Sequence, residues 1–168
     1  DAAGHLAARK IALQQGNSHS AQTKWMALTG TGTLLQYLSN RSMRLALLPV
    51  PNNKEARLEG QRMKDFMKQL PQVSFDLLLK EGEQTGSILD NLLEGLDSDA
   101  LATLVVSDRD DYLRSAKEAG MVTCRVRPHP NAPRGNISAH YNVTNLADVQ
   151  DVVNEINGIS FNAVFSAR

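Results

Sequence analysis

The sequence predicts an α/β protein built on a parallel sheet, and three observations carry that reading. Short apolar runs at residues 45–48, 74–79 and 101–106 alternate with stretches of helical periodicity. The last of these runs ends on Ser107-Asp108, a helical pattern over 112–119 is closed by Gly120, and a second β-rich run begins at Met121. A strand ending on an acid, a helix stopped by glycine and a further strand form the βαβ unit of an open parallel sheet. Ligands of such sheets sit beyond the carboxyl ends of the strands, where Asp108 falls.

The first forty residues read as helical. Residues 5–15 are rich in Ala, Leu, Lys and Gln but offer a thin apolar face, and Gly16-Asn17-Ser18 ends the pattern. Residues 21–28 carry Trp25, Met26 and Leu28, and a Gly/Thr run over 29–33 follows. No strand precedes that run and no Gly-Lys-Ser/Thr closes it, so it reads as a helix break with a Thr cap, not a phosphate loop. Leu34, Leu35 and Leu38 then give one buried helical face.

From Arg44 the alternation becomes regular. A strand at 45–48 is followed by a helix over 53–70 with Leu58, Met63, Phe66, Met67 and Leu70 near one side, stopped by Pro71. After the strand at 74–79, Ile88, Leu89, Leu92, Leu93 and Leu96 form a core stripe on the next helix. Residues 127–135 hold three prolines and a glycine and must be a loop. A strand at 139–143 precedes a helix with Asn145 as N-cap and Gly158 at its end. Residues 159–165 read as a strand-like tail.

Composition removes several classes of function. With 168 residues, 42% of them hydrophobic, one domain with a substantial core is expected. Eighteen Lys and Arg against eighteen Asp and Glu leave no net charge, hence no nucleic-acid signal. No apolar run is long enough for a membrane span. The single cysteine, Cys124, lies in a strand pattern and is read as a buried hydrophobe; one thiol builds neither a disulfide framework nor a cysteine zinc site. His5, His19, His129 and His140 show no metal-ligand spacing. The sequons at Asn40, Asn136 and Asn142 carry little weight. Asp1 is not an initiator methionine, so the sequence reads as a processed or trimmed product with any targeting peptide outside it, and the compartment stays open between an intracellular and a processed organellar protein.

Ser107-Asp108 together with Ala116-Lys-Glu-Ala-Gly-Met121 resembles the last acidic motif of the haloacid dehalogenase (HAD) superfamily. The likeness extends over about residues 34–158, from the helix at Leu34 to the closing helix after Asn142. It implies a three-layer, Rossmann-like parallel sheet preceded by a helical N-terminal segment. The regions expected are a helical segment over 1–32 (a cap remnant or extension), a HAD-like core over 33–158 and a tail over 159–168.

The chemistry implied by the resemblance needs an aspartate nucleophile in a DxD strand, a Ser/Thr and a Lys around the phosphoryl group, and acids for Mg²⁺. A carboxylate nucleophile works when a metal and a cation neutralise the charge gathering on the phosphate. The nucleophile strand is not found. Asp97-Ser98-Asp99 copies DxD superficially but precedes its strand and so lies at the wrong end. Pro49 stands at the Ser/Thr place and offers neither hydroxyl nor N–H. Glu83-Gln84 stand at the lysine's place; Lys80 is near but reads as an exposed strand end.

Asp108 is the one metal-ligand candidate, and the second acid's place is taken by Tyr112. Asp110 and Asp111 could hold Mg²⁺ through water, but they read better as first-turn acids stabilised by the helix dipole. Arg125, Arg127 and Arg134 cluster around the proline loop, as a solvated loop or as a patch for a partner.

The sequence therefore points to a HAD-like domain with no catalytic residues assigned and no cofactor expected, serving as a structural or interaction subunit with a protein partner. The competing reading is a Mg-dependent phosphatase whose nucleophile segment lies outside this chain. A Rossmann-type nucleotide binder ranks last, since no glycine fingerprint follows any strand. In the resembled fold the nucleophile strand lies between the strands at 45–48 and 101–106, so upstream residues, another chain or the tail must fill that place.

Overall fold

The fold is known from a computed structural model, which describes residues 11–12, 23–24, 30–48, 64–70, 74–79, 85–127, 131 and 135–158. Two-residue strands β1 (Ile11–Ala12) and β2 (Thr23–Lys24) pair antiparallel, Ile11 opposite Lys24. This corrects the expectation of helix at those positions. Ala, Lys and Gln favour helix by only tenths of a kcal/mol each, and without an apolar face to pack, propensity does not decide the structure.

Helix α1 (Thr31–Asn40) begins inside the Gly/Thr run. The cap is Gly30, not a threonine: its φ of 86° is left-handed, no side chain caps the helix, and Thr31 is buried in the first turn. Leu34 donates its amide to the Gly30 carbonyl at 2.9 Å, closing that turn.

Strand β3 (Ala46–Leu47) pairs in parallel with β4 (Leu77–Leu78), Ala46 opposite Leu77. Asp76 pins the register, because its carboxylate accepts the Leu45 amide at 2.7 Å while its own amide donates to the Leu45 carbonyl at 2.7 Å. Of the helix expected over 53–70, residues 64–67 are helical and residues 53–63 lie outside the described residues. Phe66 and Leu70 are buried there.

Helix α2 (Thr85–Leu96) turns Ile88, Leu89, Leu92 and Leu96 inward as the periodicity requires. Arg44 closes its C-terminus, donating to the Leu96 carbonyl and, at 3.1 Å, to the Asp97 carbonyl; the last carbonyls of a helix otherwise lack partners. A 3₁₀ turn (Ala100–Ala102) leads into β5 (Leu104–Ser107).

Helix α3 (Asp110–Glu118) crosses to β6 (Val122–Val126), which pairs in parallel with β5, Leu104 opposite Val122. Gly120, at φ 83°, makes the reversal after α3 that side chains resist. Strand β7 (Tyr141–Val143) adds in parallel beyond β6. Helix α4 (Asp148–Ile156) follows, its first turn capped by the Asn145 side chain, which accepts the Asp148 amide at 3.0 Å.

The elements form three layers. On one face of the sheet, α2 and α3 bury Ile88, Leu89, Tyr112, Ala116 and Met121 with Leu48 and Val105. On the other, α1 and α4 bury Leu34, Leu35, Val149 and Val153 with Leu47, Cys124 and Val126. Adjacent strand residues belong to opposite clusters, the period-two alternation of a sheet covered on both sides. Tyr37 and Asn154 hydrogen-bond between α1 and α4. No described helix is long and apolar enough to cross a membrane.

Among the described residues the strands form two parallel groups, β7–β6–β5 and β3–β4. Leu45, Ala46, Leu104 and Val106, with the flanking helices, line an apolar groove of about 500 Å³ between β3 and β5.

Burial assigns the stability. Ile88→Ala, at a fully buried position of α2, is expected to cost ~2–5 kcal/mol, while Glu94→Ala on the exposed face should stay within ~0.5 kcal/mol. Urea midpoints of the two variants check this.

Candidate functional site

The carboxyl ends of β5 and β6 bring together Ser107, Asp108, Asp110, Asp111 and Arg125. Ser107 is fully buried, and its hydroxyl accepts the Arg109 amide at 3.2 Å, which shapes the turn out of β5. The turn carries Asp108 to an exposed position just past the strand end, as the sequence predicts. Its backbone carbonyl accepts a hydrogen bond from Arg125 Nη1 at 3.0 Å.

Arg125 corrects the reading of this residue as part of a solvated loop or a surface patch. It is 2% exposed, on a strand residue opposite Ser107. Its guanidinium also donates to the Ile137 carbonyl at 2.7 Å and pairs with the Asp110 carboxylate. Strand alternation explains the inward direction, since Thr123 and Arg125 share one face of β6 while Cys124 and Val126 share the other. Arg127 is half-buried, and Arg134 lies outside the described residues.

The two further acids are both held. Asp110 accepts the Asn136 amide at 2.8 Å as well as Arg125. The Asn136 amide first and the guanidinium after it hold its carboxyl below the ordinary range, against an opposing effect of burial. Asp111 is gripped by Arg109 through two bonds, Nε to Oδ1 at 3.0 Å and Nη2 to Oδ2 at 2.6 Å. Burial alone would raise the Asp111 carboxyl, but the Arg109 fork outweighs it and the net shift is downward. Both acids stand in the first turn of α3, as the dipole argument expects.

Gly135 closes this corner. At φ 68° it is left-handed, and a Cβ there would come within 2.5 Å of both Arg125 Nη1 and Asp110 Oδ1. Lys117 donates to the Ser138 carbonyl at 3.0 Å and ties the same loop to α3.

The remaining candidates fall elsewhere. Tyr112, at the place of the second acid, is fully buried between α3 and α2, where burial raises its phenol. Cys124 is buried among aliphatic side chains, and burial pushes its thiol up to about 12, as an inert core cysteine requires. Asp97-Ser98-Asp99 lies between α2 and the 3₁₀ turn, at the opposite end of β5 from Asp108. His140 sits before β7, where Nδ1 accepts the Thr123 amide at 3.0 Å, extending the ladder by a side chain. Pro49, Lys80 and Glu83 lie outside the described residues.

A divalent cation at Asp108 would need further oxygen donors, and among the described residues the neighbouring acids do not fit one. Asp110 and Asp111 are bound by guanidinium groups, Tyr112 is in the core, and Arg109 and Arg125 bring positive charge to the same corner. No cluster of three His, Cys, Asp or Glu suited to a metal occurs among the described residues.

Comparison with solved structures identifies the fold. A HAD phosphatase from Thermococcus onnurineus superimposes with a TM-score of 0.61 at 18% identity, over 77% of this chain and 59% of its own. The D,D-heptose 1,7-bisphosphate phosphatase of B. bronchiseptica, complexed with magnesium and phosphate, gives 0.63 at 18% identity, over 78% and 86%. The cobalt-bound deoxy-D-mannose-octulosonate 8-phosphate phosphatase of Haemophilus influenzae gives 0.62 at 13%, over 86% and 81%. The chain thus has a HAD-like, three-layer α/β fold. It spans less than three fifths of the Thermococcus phosphatase. No family model and no curated protein matches the chain.

Two outcomes follow from the Arg125 corner. Arg125→Met, which strips three acceptors of their donor, should cost ~3 kcal/mol, at the low end for breaking a buried pair because Asp110 is 31% exposed. The lowered Asp110 pKa places its stabilising contribution fully above the unfolded value of ~3.9, with loss as pH falls through the folded value. Asp110→Asn should therefore be less stable than wild type at pH 7 and show a shallower loss on acidification below ~4, read from urea midpoints across pH.

Proposed function

We propose that this chain is a HAD-like domain without phosphohydrolase activity, serving as a structural or interaction subunit of a larger assembly. The observation that carries the reading is the commitment of the acids after β5. Asp110 and Asp111 bind Arg125, Asn136 and Arg109 instead of facing a metal, and the next residue, Tyr112, is core. Stabilising the charge of a transferring phosphoryl group requires donors and cations aimed at that charge. Here the cations of the corner are aimed at the protein's own carboxylates.

Pro49 and Glu83 support the same reading, since one offers no phosphate donor and the other would repel phosphate. A fold relieved of catalysis keeps its scaffold, and its loops can serve as contact surfaces for a protein partner.

A second reading is favoured by Asp108, which stands exposed just past β5. It is a Mg-dependent phosphatase completed by a nucleophile segment outside this chain. Two of the similar structures, with magnesium and phosphate or with cobalt, are of phosphatases.

The two readings separate on turnover. The chain should release no phosphate above buffer from para-nitrophenyl phosphate or a panel of sugar phosphates with Mg²⁺. Turnover abolished by Asp108→Asn would overturn the proposal. Titration calorimetry with Mg²⁺ should show no sub-millimolar site; one that disappears in Asp108→Ala would favour the phosphatase.

A further inference from the structure

The groove between β3 and β5 is a place for one more strand. Its walls are the edges of two parallel strand groups, and no strand among the described residues pairs with those edges along Ala46–Leu47 or Leu104–Val106. The groove is apolar on both sheet faces, since Leu34 and Val149 line it from one helical layer and Leu92 and Leu96 from the other. Open sheet edges readily take up a further strand.

Chain geometry selects the occupant. Helix α4 ends at Ile156, and Ile156 and Asn157 themselves line the groove, at the same end as Leu101 and Thr103, which lead into β5. Gly158, at φ 73°, is the left-handed residue that turns a chain back on leaving a helix. Asn157 thus stands at the mouth of the groove, on the side from which a strand parallel to β5 must enter.

Handedness agrees. The crossover from β5 to β6 uses α3 on one face, and a step from β7 back toward β5 through α4 reverses both the direction and the face. Reversing both preserves the hand, so this connection keeps the right-handed sense that parallel crossovers require. Length agrees too, because seven residues extend ~23 Å and the four of β5 only ~13 Å.

The residues after Gly158 suit the place. Ile159, Phe161, Ala163 and Phe165 alternate with Ser160, Asn162 and Val164. Ser160, next to the mouth, would enter beside the polar part of the lining, where Ser98 and Thr103 already share a hydrogen bond at 3.2 Å. Leu101 and Ile156, two large hydrophobic side chains exposed at 83% and 41%, stand at that mouth as well.

We infer that residues 159–165 of this chain insert between β3 and β5 as the central parallel strand of the sheet. The inference is independent of the loss of catalysis proposed above, although it would put Val164 and Phe165, not a carboxylate, near the strand end beside Asp108.

Amide hydrogen exchange on the full chain tests the insertion, and it is blind to phosphatase activity. Peptides covering 159–165 should exchange at least ~100-fold more slowly than an unstructured peptide, in parallel with those covering 104–106 and independently of protein concentration. Phe161→Asp should abolish the protection of 159–165, and Phe161→Leu should restore it. Free exchange of 159–165, with or without protection of 104–106, would overturn the inference. Protection that appears only as the chain dimerises would overturn it in favour of a second copy. Protection unchanged by Phe161→Asp would also overturn it.

Discussion

A guanidinium that is 2% exposed can be kept in a folded protein only when its charge and its donors are matched, and Arg125 meets that demand with groups from three segments. It accepts the constraint of a central strand position and joins the turn after β5, the first turn of α3 and the loop at 135–137. The desolvation of a charge costs several kcal/mol unless bonds of this kind offset it. The corner must therefore form as a unit, and Gly135 is demanded there because a Cβ would collide with the same guanidinium.

That unit sets the chemistry of the strand ends. The carboxylates of Asp110 and Asp111 are drawn into ion pairs, and the Asp108 carbonyl is held from behind. In an open parallel sheet, the edge beyond the strand ends is where ligands are bound, and here Asp110 and Asp111 stand at that edge in ion pairs. The fold shared with phosphatases is evidence of architecture, because one scaffold carries many functions through the sites built on it. The site of this chain is built around its own arginines.

The sheet depends on a second constraint, the groove between β3 and β5. Two apolar clusters on opposite faces meet at this groove through Leu104 and Val106 on one side and Leu45 and Ala46 on the other. Asp76 and Arg44 hold the β3–β4 pair in place from the ends, the first by fixing strand register and the second by closing α2. These polar clamps act at the end of the sheet remote from Asp108, which leaves the middle to apolar packing.

Periodicity suffices for the parts whose burial is set locally. The strand ending on Ser107, helix α3 closed by Gly120, the inward stripe of α2 and the Asn145 cap follow from residues within a few positions of one another. The place of Asp108 just past the strand end and the burial of Cys124 are legible for the same reason. Propensity failed at Ile11–Ala12 and Thr23–Lys24, where the apolar face of 5–15 is thin and Thr23 itself favours a strand. Threonine is a common cap, which makes the Gly/Thr run look like a threonine-capped break, whereas the chain uses the left-handed Gly30 and buries Thr31. The roles of Arg125 and Asp110 came from long-range packing. A charged residue near a proline loop looks solvent-facing in one dimension, and partners twelve to seventeen positions away in sequence become visible only when strands and loop are brought together.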